Sequence, residues 1–234
     1  MRLPRLAGCA IIAMLPLLWL PVLPGPCSLA GASALALALI RLHGRAVAGV
    51  AMTLLLVVWG VLSAHQALWP TRHLTGAIRQ AEVILSETDG QTLHRGQMVR
   101  LRGRYLFPPV GVTLYGELAP APACAGQHWL MTLRLRPVHG QLNDGGFDSQ
   151  RYALAQHRPL SGGIVAASAL DPRCSLRARY LASLTRRLEP YPWRAVMLGL
   201  GMGERLTLPT AIKVLMQNTG TSHLMAISGL HIAL

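Results

Sequence analysis

The chain opens with three apolar stretches, passes into a region where apolar and polar positions alternate, and returns to helical spacing towards its end. The apolar stretches are "LAGCAIIAMLPLLWLPVL" at 6–23, "CSLAGASALALALI" at 27–40 after a "PGP" turn, and "AVAGVAMTLLLVVWGVLSA" at 46–64 after "RLHGR". The last carries no charge over 19 residues, close to the length that crosses a bilayer as a helix. Together they predict a transmembrane region over residues 1–66 with about three spans. Arg2 and Arg5 precede the first stretch and Arg41 and Arg45 separate the second from the third, so the positive-inside rule puts these ends in the cytoplasm and the residues after Ala64 outside it. A removable signal peptide, with its basic start and "GASA" site, is the competing reading of residues 1–34. Trp59 and Trp69 bracket the end of the third span, and "WPTRHLTG" reads as an interfacial anchor and linker.

From about Gly76 to Asp171 the pattern has period two, in the runs "AEVILSETD", "GQMVRLRGRYL", "GVTLYGEL", "HWLMTLRLRPV" and "GGIVAASAL". Residues 70–172 are therefore expected to form an antiparallel β domain, the size of a small closed barrel of the OB type. The fold class is membrane α-helical plus an all-β OB-like barrel, α+β overall. In "MVRLRGRYL" the alternation puts Val99, Leu101 and Tyr105 on the core face and Arg100, Arg102 and Arg104 on the other; in "WLMTLRLR" Trp129, Met131, Leu133 and Leu135 oppose Thr132, Arg134 and Arg136. Arg100, Arg102, Arg104, Arg134 and Arg136 then make a basic sheet face of the kind that single-stranded nucleic acid tracks. A solvated strand face, or contact with anionic headgroups, is the competing reading. The aromatic residues near that face are Tyr105, Phe107 and Tyr115.

Past Cys174, in a third region over 173–234, the spacing is helical again. In "SLRARYLASLTRRLEPYP", Leu176, Tyr180, Leu184 and Leu188 form a stripe beside Arg177, Arg179, Arg186 and Arg187, a basic amphipathic helix suited to a membrane surface. Two short helical runs come next, "WRAVMLGLGMGERLTLP" and "TAIKVLMQNTG".

Charge sharpens this outline. Twenty-two basic residues, all arginine except Lys213, stand against nine acids, giving a formal charge of +13. With 52% hydrophobic residues the chain is too apolar for an ordinary soluble domain, and its charge points to a polyanionic neighbour, phospholipid or nucleic acid. The four cysteines include no C-x-x-C pair, which argues against structural zinc. With the β domain outside the cytoplasm, Cys124 and Cys174 are the expected disulfide, and Cys9 and Cys27 free thiols.

The most specific stretch is "LGLGMGERLTLPTAIKVLMQNTGTSHLMAISGLHIAL". It resembles the opening of the membrane domain of the ComEC competence family, and "NDGGFDSQRYALAQH" at 143–157 resembles that family's other recurrent segment. The resemblance implies a multi-pass inner-membrane protein that passes one DNA strand: N-terminal spans, a periplasmic OB domain, a helical channel domain and often a C-terminal metal-dependent nuclease. This chain has no H-x-H-x-D-H stretch for such a nuclease, and it is expected to be cut off in the first channel helix, because "HLMAISGLHIAL" supplies only 12 residues. Ser222, His223, Ser228, Gly229 and His231 in that segment are candidate channel residues, since ionisable groups within a membrane are costly unless they line a path.

No catalytic residue, cofactor or metal is expected. His223 and His231 lack a third ligand, Ser228 lies in no G-x-S-x-G elbow, and Asp144 and Asp148 fit a capped turn better than a calcium loop. Three functions stay open: the N-terminal part of a DNA-uptake channel with the OB-like domain guiding single-stranded DNA, a membrane-anchored interaction module without transport, and a nonfunctional truncated product. The expected partners are single-stranded DNA, anionic membrane lipids and other competence proteins.

Overall fold

The computed structural model describes residues 3–20, 22–42, 44–119, 123–140 and 145–223. They fall into two compact units, Met1–His73 and Leu74–Leu234.

The first unit holds α1 (Leu3–Met14), α2 (Pro26–Ile40) and α3 (Arg45–His73). Pro16 interrupts the first apolar stretch: α1 ends at Met14 and a 3-10 turn spans Leu15–Leu18, because a proline ring clashes with the carbonyl four residues back. At 12 and 15 residues, α1 and α2 are shorter than a spanning helix needs. Among the described residues one helix, Ala46–His73 with a mean hydropathy of 2.2, is long and apolar enough to cross a membrane. It also continues beyond Ala64 through Trp69 and Pro70, which the sequence assigns to an anchor and linker. The Trp69 and His73 rings, one turn apart with centroids 5.6 Å from each other, pack along that last turn. The linker proper shrinks to Leu74–Ala77. Both shorter helices pack on α3; Gly60 leaves room for Met14 and Leu17, where an added Cβ would lie 2.9 Å from Leu17 Cδ1. Cys9 and Cys27 are free thiols.

The second unit is built around five strands: β1 (Ile78–Thr88), β2 (Leu93–Leu101), β3 (Arg104–Tyr115), β4 (His128–Pro137) and β5 (Leu160–Asp171). Their order, β1-β2-β3-β5-β4 with β4 returning to β1, closes a barrel. Closure requires one parallel pair, β3 with β5, where the sequence suggests a wholly antiparallel sheet. Ala81, Val83 and Leu85, Met98, Val112 and Leu114, and Trp129, Met131, Leu133 and Leu135 fill the interior. His94 is fully buried among them; its Nε2 donates to the Gly116 carbonyl at 2.9 Å and its Nδ1 accepts from the Thr88 hydroxyl at 2.7 Å.

The stretch "GQMVRLRGRYL" is not a single strand. Arg102 and Gly103, with φ of 50° and 79°, form the two-residue turn between β2 and β3, so Arg104 and Tyr105 belong to the next strand. A bulge at Val99 against β1 shifts the alternation as well, so Met98 is buried; Tyr105, expected in the core, pairs with outward-facing Arg100 and is 75% exposed.

The helices of this unit lie between and after the last strands. Between β4 and β5 comes α4 (Ser149–Ala155), capped by Asp148, which accepts from the Arg151 amide at 2.9 Å. Beyond the barrel come α5 (Leu176–Arg187), α6 (Arg194–Met202) and α7 (Thr210–Asn218). Cys124 and Cys174 form a disulfide, Cα atoms 5.6 Å apart, which joins the loop before β4 to the start of α5. Beside it Gln127 Oε1 accepts from the Cys124 amide and the Trp129 indole, both at 3.1 Å, while its amide nitrogen donates to the Pro172 carbonyl at 3.1 Å. Gly126, at φ 98°, lets the two segments meet: an added Cβ would lie 2.5 Å from the Ser175 nitrogen. In α5 the expected stripe is divided, with Leu184 and Leu188 half-buried and Leu176 and Tyr180 exposed.

A candidate nucleic-acid interface on the barrel wall

Strand pairing decides which basic residues meet. In the outward-facing positions, Arg95 of β2 stands opposite Thr113 of β3, Thr113 opposite Ser161 of β5, and Ser161 opposite Arg136 of β4. One row along, Tyr115, Gly163 and Arg134 stand side by side on β3, β5 and β4. Gly163 contributes no side chain, so the wall sinks between Tyr115 and Arg134.

Two adjoining clefts occupy this depression. One, of about 600 Å³, is lined by Tyr115, Gly163, Arg134 and Arg136. The other, of about 530 Å³, runs on past Tyr115 and Arg136 to Arg95, Arg158, Tyr152 and His139. Among the described residues no acid lines either cleft. Arg95 and Arg158 are held from behind by Glu87, at 2.9 and 3.8 Å, which fixes their positions while using part of their charge. Arg134 and Arg136 are exposed and have no ion-pair partner among the described residues. Tyr115 is half exposed, and Tyr152 packs against Phe147 with ring centroids 5.3 Å apart. A trough with cations along its sides and open ring faces can hold a polyanion by its backbone and stack planar groups.

Of the five arginines expected on one face, the structure brings together only Arg134 and Arg136. Arg100 lies on the other side of β1, where Glu82 takes its guanidinium at 3.2 Å and the Tyr105 ring lies beneath it at 3.9 Å. Glu82 and then Tyr105 hold the Arg100 pKa above its ordinary value. Arg102 sits in the β2–β3 turn and Arg104 at the start of β3. Alternation cannot see this, because β2 and β4 flank β1 from opposite sides. Nor does it single out Arg95, Arg158, Tyr152, His139 or Gly163. The signal that points to them is the pair Gly162–Gly163 inside a strand, since glycines there mark a close approach. Of the candidate channel residues, Ser222 and His223 are exposed just beyond α7, and Ser228, Gly229 and His231 lie outside the described residues. Asp144 lies outside them too.

The family model described as "Competence protein" matches residues 200–234. "Uncharacterized protein YcaI" of Escherichia coli K12 is 55% identical over 233 residues, all of this chain and 31% of that protein. "Recombination protein 2" of Haemophilus influenzae is 34% identical over 106 residues, 45% of this chain and 14% of that protein. The chain is related to the ComEC competence family. It spans about a third of the first relative's length. No solved structure matches it. The competence match covers the end of α6, α7 and the residues after it, whereas the full-length similarity includes the helical unit and the barrel.

Proposed function

We propose that this chain is the N-terminal part of an inner-membrane DNA-uptake channel, with α3 crossing the membrane, α1 and α2 completing a multi-pass anchor, and an OB-type barrel in the periplasm guiding single-stranded DNA. The relationship to competence proteins supports the uptake context. The strand order with its parallel β3–β5 closure supports the OB reading, and the Cys124–Cys174 disulfide suits an oxidising compartment. The observation that carries the DNA role is the trough of Tyr115, Gly163, Arg134 and Arg136, lined by no acid among the described residues. In this reading the barrel is a guide that concentrates and orients a strand.

The test is binding of fluorescent oligodeoxythymidylate to the full chain in detergent across a salt series. Binding should weaken with salt, and Arg134→Glu with Arg136→Glu should lower the slope of log K against log salt by about 1.4 for two lost phosphate contacts. Undiminished binding by that variant would remove the trough from the DNA route. No binding at low salt leaves a membrane-anchored interaction module as the surviving reading.

A further inference from the structure

The β2–β3 hairpin carries a second basic and aromatic feature, whose rings lie open to solvent. Beyond the Met98–Val110 pair the ladder resumes only at Arg100–Tyr105, so the single residue Val99 faces four, Leu106 to Pro109. Leu106 turns towards the core, and Phe107 is thrown outward with 97% of its surface exposed. Tyr105 beside it is 75% exposed, its ring held by the Arg100 guanidinium, which Glu82 holds in turn. Arg102 and Arg104 flank the rings, exposed and without an ion-pair partner among the described residues. No acidic residue occurs between Asp89 and Glu117.

From this we infer that the hairpin tip is a membrane-docking finger: Phe107 enters the interface of an anionic bilayer, Tyr105 lies at headgroup depth, and Arg102 and Arg104 engage lipid phosphates. Three observations favour lipid over a nucleic-acid strand. The rings of the tip stand out into solvent, Phe107 almost wholly exposed and neither ring lining a cleft among those described above, whereas a strand is held in a concave, basic trough. Phe107 has no polar tip, and an apolar ring among arginines is the composition of interfacial anchors. The tip also stands at the end of the barrel where the linker enters. The Arg102 amide donates to the Gln80 carbonyl at 3.0 Å, and Gln80 is the third residue of β1. The linker Leu74–Ala77 is at most about 14 Å long. The inference rests on the reading that α3 crosses a bilayer, which keeps a lipid surface within reach of the tip.

The experiment uses the full chain with Cys9→Ser and Cys27→Ser, reconstituted into phosphatidylglycerol–phosphatidylcholine vesicles. One environment-sensitive label is placed at Phe107→Cys and, in a second sample, at Gln91→Cys in the turn at the other end of β1. Emission at position 107 should shift to the blue and be quenched by lipids spin-labelled near the headgroup, with neither effect at position 91. Adding Arg102→Glu and Arg104→Glu should lower the equilibrium constant for docking, read from the ratio of docked to undocked label, at least about thirty-fold, as expected for two lost basic contacts to an anionic surface. Equal solvent exposure of both labels in a chain that resists alkaline extraction overturns the finger and leaves α3 standing. Loss of the chain to that extraction overturns both. Protection of position 107 by oligodeoxythymidylate without lipid quenching assigns the tip to DNA and overturns the proposal.

Discussion

Gly163 stands directly opposite Arg134 in the β4–β5 ladder, and a Cβ added to it would meet no atom within 4 Å. A side chain can therefore be grown into the trough without disturbing the barrel. Gly163→Trp is expected to leave the thermal midpoint within a few degrees of the parent and to lower affinity for single-stranded DNA about tenfold or more, by filling the space between Tyr115 and Arg134. Fluorescence anisotropy with oligodeoxythymidylate checks it. At Gly162, where a Cβ would lie 2.6 Å from the Arg134 carbonyl, the same substitution should instead impair folding.

Tyr115 is the ring best placed to stack on a base in that trough. Tyr115→Ala should weaken binding by about 1–3 kcal/mol with little change in the salt slope, whereas Arg134→Ala should change the slope. The two variants separate stacking from phosphate contact in one titration series.

These tests rely on Arg134 and Arg136, which alternation along β4 locates correctly. One face of that strand is buried from Trp129 to Leu135, so period two persists. The same logic puts Arg100, Arg102 and Arg104 off the core face too, but it cannot tell that β2 and β4 flank β1 from opposite sides. A turn made by Arg102–Gly103, in place of the usual Asn-Gly, reverses the parity after Leu101 and moves Tyr105 from the core face to the surface, while the Val99 bulge against β1 puts Met98 inside. Arg95 is far in sequence from His139, Tyr152 and Arg158, which all lie between β4 and β5, and only closure of β3 onto β5 gathers them. No local periodicity records that pairing. The length of α3 is hidden by Pro70, a residue that usually announces the end of a helix.

The Cys124–Cys174 bond closes a loop with a sequence separation of 50 residues, so its reduction should lower the stability of the barrel unit by about 4 kcal/mol on the chain-entropy estimate. Chemical denaturation of the full chain with and without reductant, followed by tryptophan fluorescence with Trp19, Trp59, Trp69 and Trp193 replaced by Phe so that the buried Trp129 alone reports, measures the change. In cells, a membrane-impermeant maleimide should label these two cysteines only after reduction. Labelling without it would show that the pair is not oxidised outside the membrane, and no labelling of intact cells even after reduction would place it on the cytoplasmic side.

Glu204, in the turn after α6, is partly desolvated, and this raises its pKa above the ordinary carboxylate value despite amides of Leu206 and Thr207 and the nearby Arg177. Below the unfolded pKa the carboxyl is protonated in both states and burial carries no ionisation penalty. As pH rises from there to the raised folded value, the unfolded chain holds fewer protons than the folded one and stability falls. Glu204→Gln should therefore stabilise the protein at neutral pH and match the parent at low pH. A difference of the same size at both ends of a denaturation series from acid to neutral pH would contradict this origin.

The parallel join of β3 to β5 is only four residue pairs long, Val112–Tyr115 against Leu160–Gly163, while β4 holds β5 along ten. Parallel pairing is also the weaker kind per residue, so this is the seam at which the cylinder first parts. Tyr115 lies on one lip of that seam, and Arg134 and Arg136 stand on β4 just beyond the other. A strand resting across them works as a stitch, and its binding free energy becomes resistance to opening. Backbone amides of Leu160 to Gly163 should then exchange with solvent fastest among the barrel strands in the free protein and slow most when the trough is filled, so the same few residues would report both cargo and the integrity of the wall.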